Sequence, residues 1–144
     1  RAPRSADGGP MGAVVAKKGI ADVFKPGDHG STFGGSCLAI TACAATLSAL
    51  VRGDYADHAA KVGAYMEQAL AKLPHVVEVR GRGLMLGCDL DDAAGDAHDI
   101  VARALAAGAV INATGAHTLR CMRPRVCEEA VVDSLIEFLA GVLV

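Results

Sequence analysis

Gly27-Asp28-His29-Gly30-Ser31-Thr32-Phe33-Gly34-Gly35-Ser36-Cys37-Leu38 sets two adjacent hydroxyls, Ser31 and Thr32, among glycines and opens directly into an uncharged run. Glycines at 30, 34 and 35 let the backbone approach a ligand or take a positive φ at little steric cost. Hydroxyls and free N–H groups beside a helix start suit an anion such as a phosphate. The same composition also serves as an ordinary glycine-rich turn before a helix. His29 either orients this loop or meets the same anion.

Working outward, Ser36 is a fitting N-cap, and Ser36 to Val51 carries no charge. A helix apolar all round must be buried all round. In a domain this small, that predicts packing against a larger domain or a second subunit, with a central helix of this domain as the alternative. Upstream, Met11 to Ala16 reads as a strand and Gly19 to Phe24 as a helical turn ended by Pro26-Gly27, while Arg1 to Asp7 reads as a frayed or artificial end. Downstream, Tyr55, Ala59, Val62, Met66, Ala69, Leu70 and Leu73 recur at helical steps between Asp54 and Pro74. Val76 to Val79 and Leu84 to Leu90 read as strands joined by Gly-Arg-Gly. Asp96 to Ala107 is a helix with Gly108 as its C′ residue. Ala109 to Asn112 and Thr118 to Met122 are further strands, and Glu128 to Leu143 is a closing helix with Val131, Leu135, Phe138, Leu139 and Val142 on its apolar side. The predicted class is α/β, with a small, largely antiparallel sheet covered by helices.

The opening stretch resembles the His-Gly-Ser-Thr-Phe-Gly-Gly-Asn-Pro-Leu segment of class III pyridoxal-phosphate aminotransferases, most closely those acting on N-acetylornithine or ornithine. Val79-Arg80-Gly81-Arg82-Gly83-Leu84-Met85-Leu86-Gly87 resembles that family's Arg-Gly-x-Gly-Leu-Met-Leu-Gly segment. Ala107-Gly108-Ala109-Val110-Ile111-Asn112 and Leu119-Arg120 resemble two more of its stretches, in the same order. The resemblance implies the small domain of a fold-type I transferase over 36–144, with 1–35 closing a large cofactor-binding domain. It also implies transfer of an amino group between N-acetylornithine and 2-oxoglutarate in arginine biosynthesis, with ornithine, 4-aminobutyrate and succinyl-ornithine relatives left open.

By the same resemblance, Thr32 meets the cofactor phosphate across a dimer interface, Ser31 touches substrate, and Arg120 grips the substrate carboxylate. A guanidinium fork fits a carboxylate bidentately, which lysine cannot reproduce. The family's Schiff-base lysine aligns with Pro3, so no catalytic residue is assigned. Arg4 is effectively always protonated and no nucleophile, and Lys17, Lys18 and Lys25 fall after the glycine turn. The expectation is a carboxy-terminal portion, inactive alone and not holding pyridoxal phosphate by itself. It would act within a homodimer or against an intact aminotransferase subunit; a non-catalytic interaction module or a decayed remnant is the alternative. Ser36-Cys37 replaces the family's Asn-Pro, and Cys121, Met122, Arg123, Pro124 and Arg125 replace its apolar and proline residues. Extra positive charge there either suits dianionic substrates or marks relaxed selection.

Hydrophobic residues make up 52% of the 144 and aromatics 3%, so the core is built from Ala, Val, Leu and Ile. A net charge of −2 favours neither nucleic acid nor an anionic membrane. Five cysteines without C-x-x-C spacing argue against zinc and read as reduced core thiols of a cytoplasmic protein. Cys37 and Cys43 belong to that reading. His58, His75, His98 and His117 show no ligand spacing and read as solvated. Asp89, Asp91, Asp92, Asp96 and Asp99 read as an exposed strand end and helix start.

Overall fold

The structure, a computed structural model, describes residues 11–32 and 34–143. Pro3, Arg4 and the end read as frayed lie outside the described residues. The chain divides into two compact units, Arg1–Asp54 and Tyr55–Val144, each described by itself.

The second unit begins with α3 (Tyr55–Leu70), whose Val62, Met66 and Leu70 are buried at helical spacing. Pro74 cannot continue the helix, and the chain reverses at His75, a non-glycine residue at φ 64°. The ring of His75 steadies that reversal, its Nδ1 lying 3.0 Å from the Asp91 carboxylate. β1 (Val76–Arg82) then pairs with β2 (Met85–Leu90) through a turn of Gly83 and Leu84. The ladder therefore runs through Gly81 and Arg82, which the sequence reading assigned to the linker.

Asp96 caps α4 (Ala97–Ala106), its side chain accepting from the N–H of His98 at 2.7 Å. The helix ends as predicted at Gly108, where φ is 86°. Ala109 N–H donates to Ala104 C=O at 2.9 Å and Gly108 N–H to Leu105 C=O at 3.0 Å, the paired bonds of a Schellman motif. β3 (Asn112–Gly115) and β4 (Thr118–Met122) complete a four-stranded sheet in the order β1-β2-β4-β3, antiparallel throughout. The strand expected at Ala109 to Asn112 thus starts three residues late. The Schellman closure occupies Ala109, and the ladder begins only where Asn112 meets Arg120.

Alternation divides the sheet. Leu86, Cys88 and Leu90 of β2 and Leu119 and Cys121 of β4 are buried against α3, α4 and α5 (Glu129–Val142). Met85, Arg120 and Met122 lie on the uncovered face. In α5 the buried positions are Val132, Leu135 and Leu139, while Val131, expected inside, is 50% exposed. The helix is rotated so that the residue after it faces the core.

In the first unit, α1 (Lys18–Ala21) is a single turn and α2 (Cys37–Arg52) is the long uncharged helix. Met11 to Ala16 is not a strand: among the described residues it has no ladder partner, and Val14 and Val15 are exposed. An apolar run becomes a strand only when another strand satisfies its backbone. Nor is α2 buried all round here. Cys43 is its buried residue, whereas Leu38 is 82% and Val51 85% exposed. Four cysteines are buried thiols as expected; Cys37, on the first turn of α2, is exposed.

Candidate functional site

The predicted site residues fall in both units. Ser31 and Thr32 share a loop of the first, and Arg120 stands on β4 of the second. Both loop residues are exposed. Gly34 N–H donates to Ser31 C=O at 3.3 Å. A Cβ at Gly34 would stand 2.9 Å from the Ser31 Cβ, and Gly35 takes φ 77° as the chain enters α2. Glycine is thus required by geometry at 34 and 35; Phe33 lies outside the described residues.

Ser36 occupies the N-cap position, but its hydroxyl makes no capping bond, contrary to expectation. The first turn of α2 carries no acidic residue to compete for an anion. Ser31, Gly34, Gly35, Ser36 and Ala39 border a hollow of about 290 Å³ at this end of the helix. Thr41 and Thr46 instead return their hydroxyls to the carbonyls of Cys37 and Ala42, both at 2.8 Å. His29 packs on Phe24 with ring centroids 5.4 Å apart, a contact that supports the loop. Lys17, Lys18 and Lys25 are exposed, and the Nζ of Lys25 donates to the carbonyl of Asp22 at 2.6 Å.

Arg120 lies in register between Gly87 of β2 and Asn112 of β3, exposed on the uncovered face of the sheet. Its cross-sheet neighbour Arg80 pairs with Asp89 and, at 3.7 Å, with Glu78. Asp89 also accepts from Thr118 Oγ1 at 2.6 Å, so its charge is committed locally. Arg123 anchors to the β1–β2 turn, its N–H donating to Leu84 C=O at 3.0 Å. Its Nε is buried without a hydrogen-bond partner among the described residues, while Arg125 is exposed.

Sequence reading missed Asn112 and Gly87 as neighbours of Arg120, because register across strands is not written in either strand alone. It also misplaced two histidines. His58 Nε2 lies 2.9 Å from the carbonyl of Cys127, and His75 pairs with Asp91; both are half-buried. Asp96 is held below the usual carboxylate range by the backbone N–H and ring of His98. The acidic run is therefore partly capping apparatus, with Asp91 and Asp96 each accepting from a helix-start N–H. Among the described residues no His, Cys, Asp and Glu grouping could hold a metal ion, and no single helix is long and apolar enough to cross a membrane.

A sequence profile described as aminotransferase class-III matches residues 4–143. Acetylornithine aminotransferase of Caldanaerobacter subterraneus is 41% identical over 140 residues, covering 94% of this chain and 35% of that protein. The ornithine delta-aminotransferase of Plasmodium falciparum superposes with a TM-score of 0.80 at 28% identity, over 90% of this chain and 34% of that one. An amine transaminase from an uncultivated Pseudomonas species, solved in its PLP-bound form, gives 0.70 at 28% identity over 81% and 29%. The chain spans about a third of the length of the curated relatives it matches.

Proposed function

The chain belongs to the class-III aminotransferase family, and from that premise we propose that it supplies the carboxy-terminal portion of a cytoplasmic N-acetylornithine:2-oxoglutarate aminotransferase of arginine biosynthesis. The observation that carries this reading is 41% identity to an acetylornithine aminotransferase across 94% of the chain. Residues 1–35 would close the large cofactor-binding domain and 36–144 form the small one. Enzymes of this family work with pyridoxal phosphate, which when bound supplies the electron sink for amino-group transfer.

The residues present suit the phosphate of that group and no more. Thr32 offers a hydroxyl and an N–H from an exposed turn beside the start of a 16-residue helix with no acid in its first turn. The resemblance to the family would align its tethering lysine with Pro3, and on that reading the chain alone would be inactive. Ser31 would face the substrate and Arg120 would hold its carboxylate through two parallel N–H bonds. Ile40, Leu47 and Val51 on α2, all exposed here, would be covered by the rest of the enzyme or by a partner subunit. The same exposed residues favour a second reading, a non-catalytic partner of an intact aminotransferase subunit.

The test is a fusion of this chain, from Gly8 onward, behind the preceding part of an acetylornithine aminotransferase. The fusion is expected to make glutamate from 2-oxoglutarate with N-acetylornithine as preferred donor. Arg120→Ala in it should weaken carboxylate substrates about ten- to a hundredfold in KM. A fusion that folds and takes up the cofactor yet moves no amino group from N-acetylornithine would overturn the enzymatic reading. If the unfused chain then captured an intact aminotransferase subunit, the second reading would replace it.

A further inference from the structure

We propose that Asn112 is a second carboxylate-binding residue, forming with Arg120 a two-armed receptor on the uncovered face of the sheet; this rests on the reading of Arg120 as the carboxylate clamp. The β3–β4 register sets Asn112 directly opposite Arg120, and residues so paired have Cβ atoms about 4.5–5.5 Å apart on one face. Ala113 and Leu119, the next pair along the same ladder, both pack into the core. Alternation therefore turns Asn112 and Arg120 the same way, and both are exposed.

On its other flank Arg120 faces Gly87, which offers no side chain to compete for the fork. Arg80, beyond that glycine, is engaged by Asp89 and Glu78. Among the described residues the Arg120 guanidinium forms no ion pair. Among the described residues the row therefore presents a planar cation outside any ion pair, a glycine bordered by the Arg80 and Thr118 side chains on one side, and a primary amide on the other. A carboxylate docked on the fork spends two lone pairs on Arg120 and keeps others for a further donor. The Nδ2–H2 group of Asn112 is the neutral donor in position to take one. An aspartate at 112 would instead occupy the fork itself.

The experiment is a titration of the full 144-residue chain with glutarate, with the neutral diamide glutaramide as control, followed through the Arg120 Nε–H and Asn112 Nδ2–H2 resonances. Both signals should move with glutarate and neither with glutaramide. Asn112→Ala should weaken glutarate about tenfold, and Asn112→Asp should abolish its effect on Arg120, with the remaining backbone spectrum unchanged. If Arg120 responds but Asn112→Ala binds glutarate as well as the unaltered chain does, the inference fails and Arg120 acts alone. If neither signal moves, or Arg120→Ala binds unchanged, the clamp reading itself fails and this inference with it.

Discussion

Cys88 and Cys121 lie diagonally across the β2–β4 ladder, in register with Leu119 and Leu86 respectively, and both belong to the core cluster. Burial pushes the Cys88 thiol up to about 12, with the neighbouring Cys121 adding to the shift. Burial likewise pushes Cys121 up to about 11, against the pull of Arg123. Both thiols thus release their protons at higher pH in the folded chain than in the unfolded one, whose reference is 9.0. Below pH 9 both states keep the proton and the contribution to stability is complete. Above it the unfolded thiol ionises first, the native state binds more protons, and stability falls by up to about 1.4 kcal/mol per pH unit for each thiol. Urea midpoints should therefore decline between pH 9 and 11, and the decline should be shallower in a Cys88→Ala, Cys121→Ala variant. Parallel declines in the two chains would refute the assignment. At pH 8 the exposed Cys37 should be the thiol that iodoacetamide labels in the native state.

The β1–β2 hairpin explains at the level of elements why its segment is rich in glycine. A Cβ at Gly81, where φ is 146°, would stand 2.2 Å from the carbonyl oxygen of Met85. One at Gly63, in the middle of α3, would stand 2.3 Å from the carbonyl oxygen of Gly83, so helix and turn meet backbone to backbone. Gly63→Ala should therefore destabilise by about 1–3 kcal/mol through forced displacement. Gly141→Ala on α5, where a Cβ meets nothing within 4 Å, should stabilise by about 0.5 kcal/mol through chain entropy. Urea melts of the pair check both signs, and a neutral Gly63→Ala would show that the turn can move away. These clashes also measure what was legible. Helices were, because Val62, Met66 and Leu70 repeat at the period of the element itself, and Asp96 and Gly108 mark the ends of α4 by local chemistry. The rotation of α5 was not, since Val131 and Val132 are both apolar and only the sheet beneath selects between them. Val132→Ala should accordingly cost about 2 kcal/mol and Val131→Ala under about 0.5. The Ser31-Thr32 turn and Arg120 could be named from the chain, but Asn112 emerged only once β3 had a partner.

Over the whole molecule, apolar burial is concentrated rather than spread. Every residue of the core cluster, from Val62 to Leu143, lies in the second unit, as does every partly buried residue packed against it. That cluster draws on α3, α4, α5 and the covered face of all the sheet's central strands. Among its described residues the first unit contributes Cys43 as its buried hydrophobe while exposing Leu38, Leu47 and Val51 on α2. Cooperative unfolding follows burial of a shared core, so the stability of the chain should reside in Tyr55–Val144. A chain starting at Tyr55 should reproduce the main urea transition of the 144-residue chain, with an unfolding free energy in water within about 0.5 kcal/mol. It should also stay soluble at concentrations where the longer chain associates, because removing α2 removes its apolar surface. Leu38→Glu with Leu47→Lys in the full chain should give the same gain in solubility while leaving that transition in place. A shortened chain that fails to unfold cooperatively would mean the first unit supplies stability that its own burial does not account for, and α2 would then be a core element rather than a surface awaiting cover.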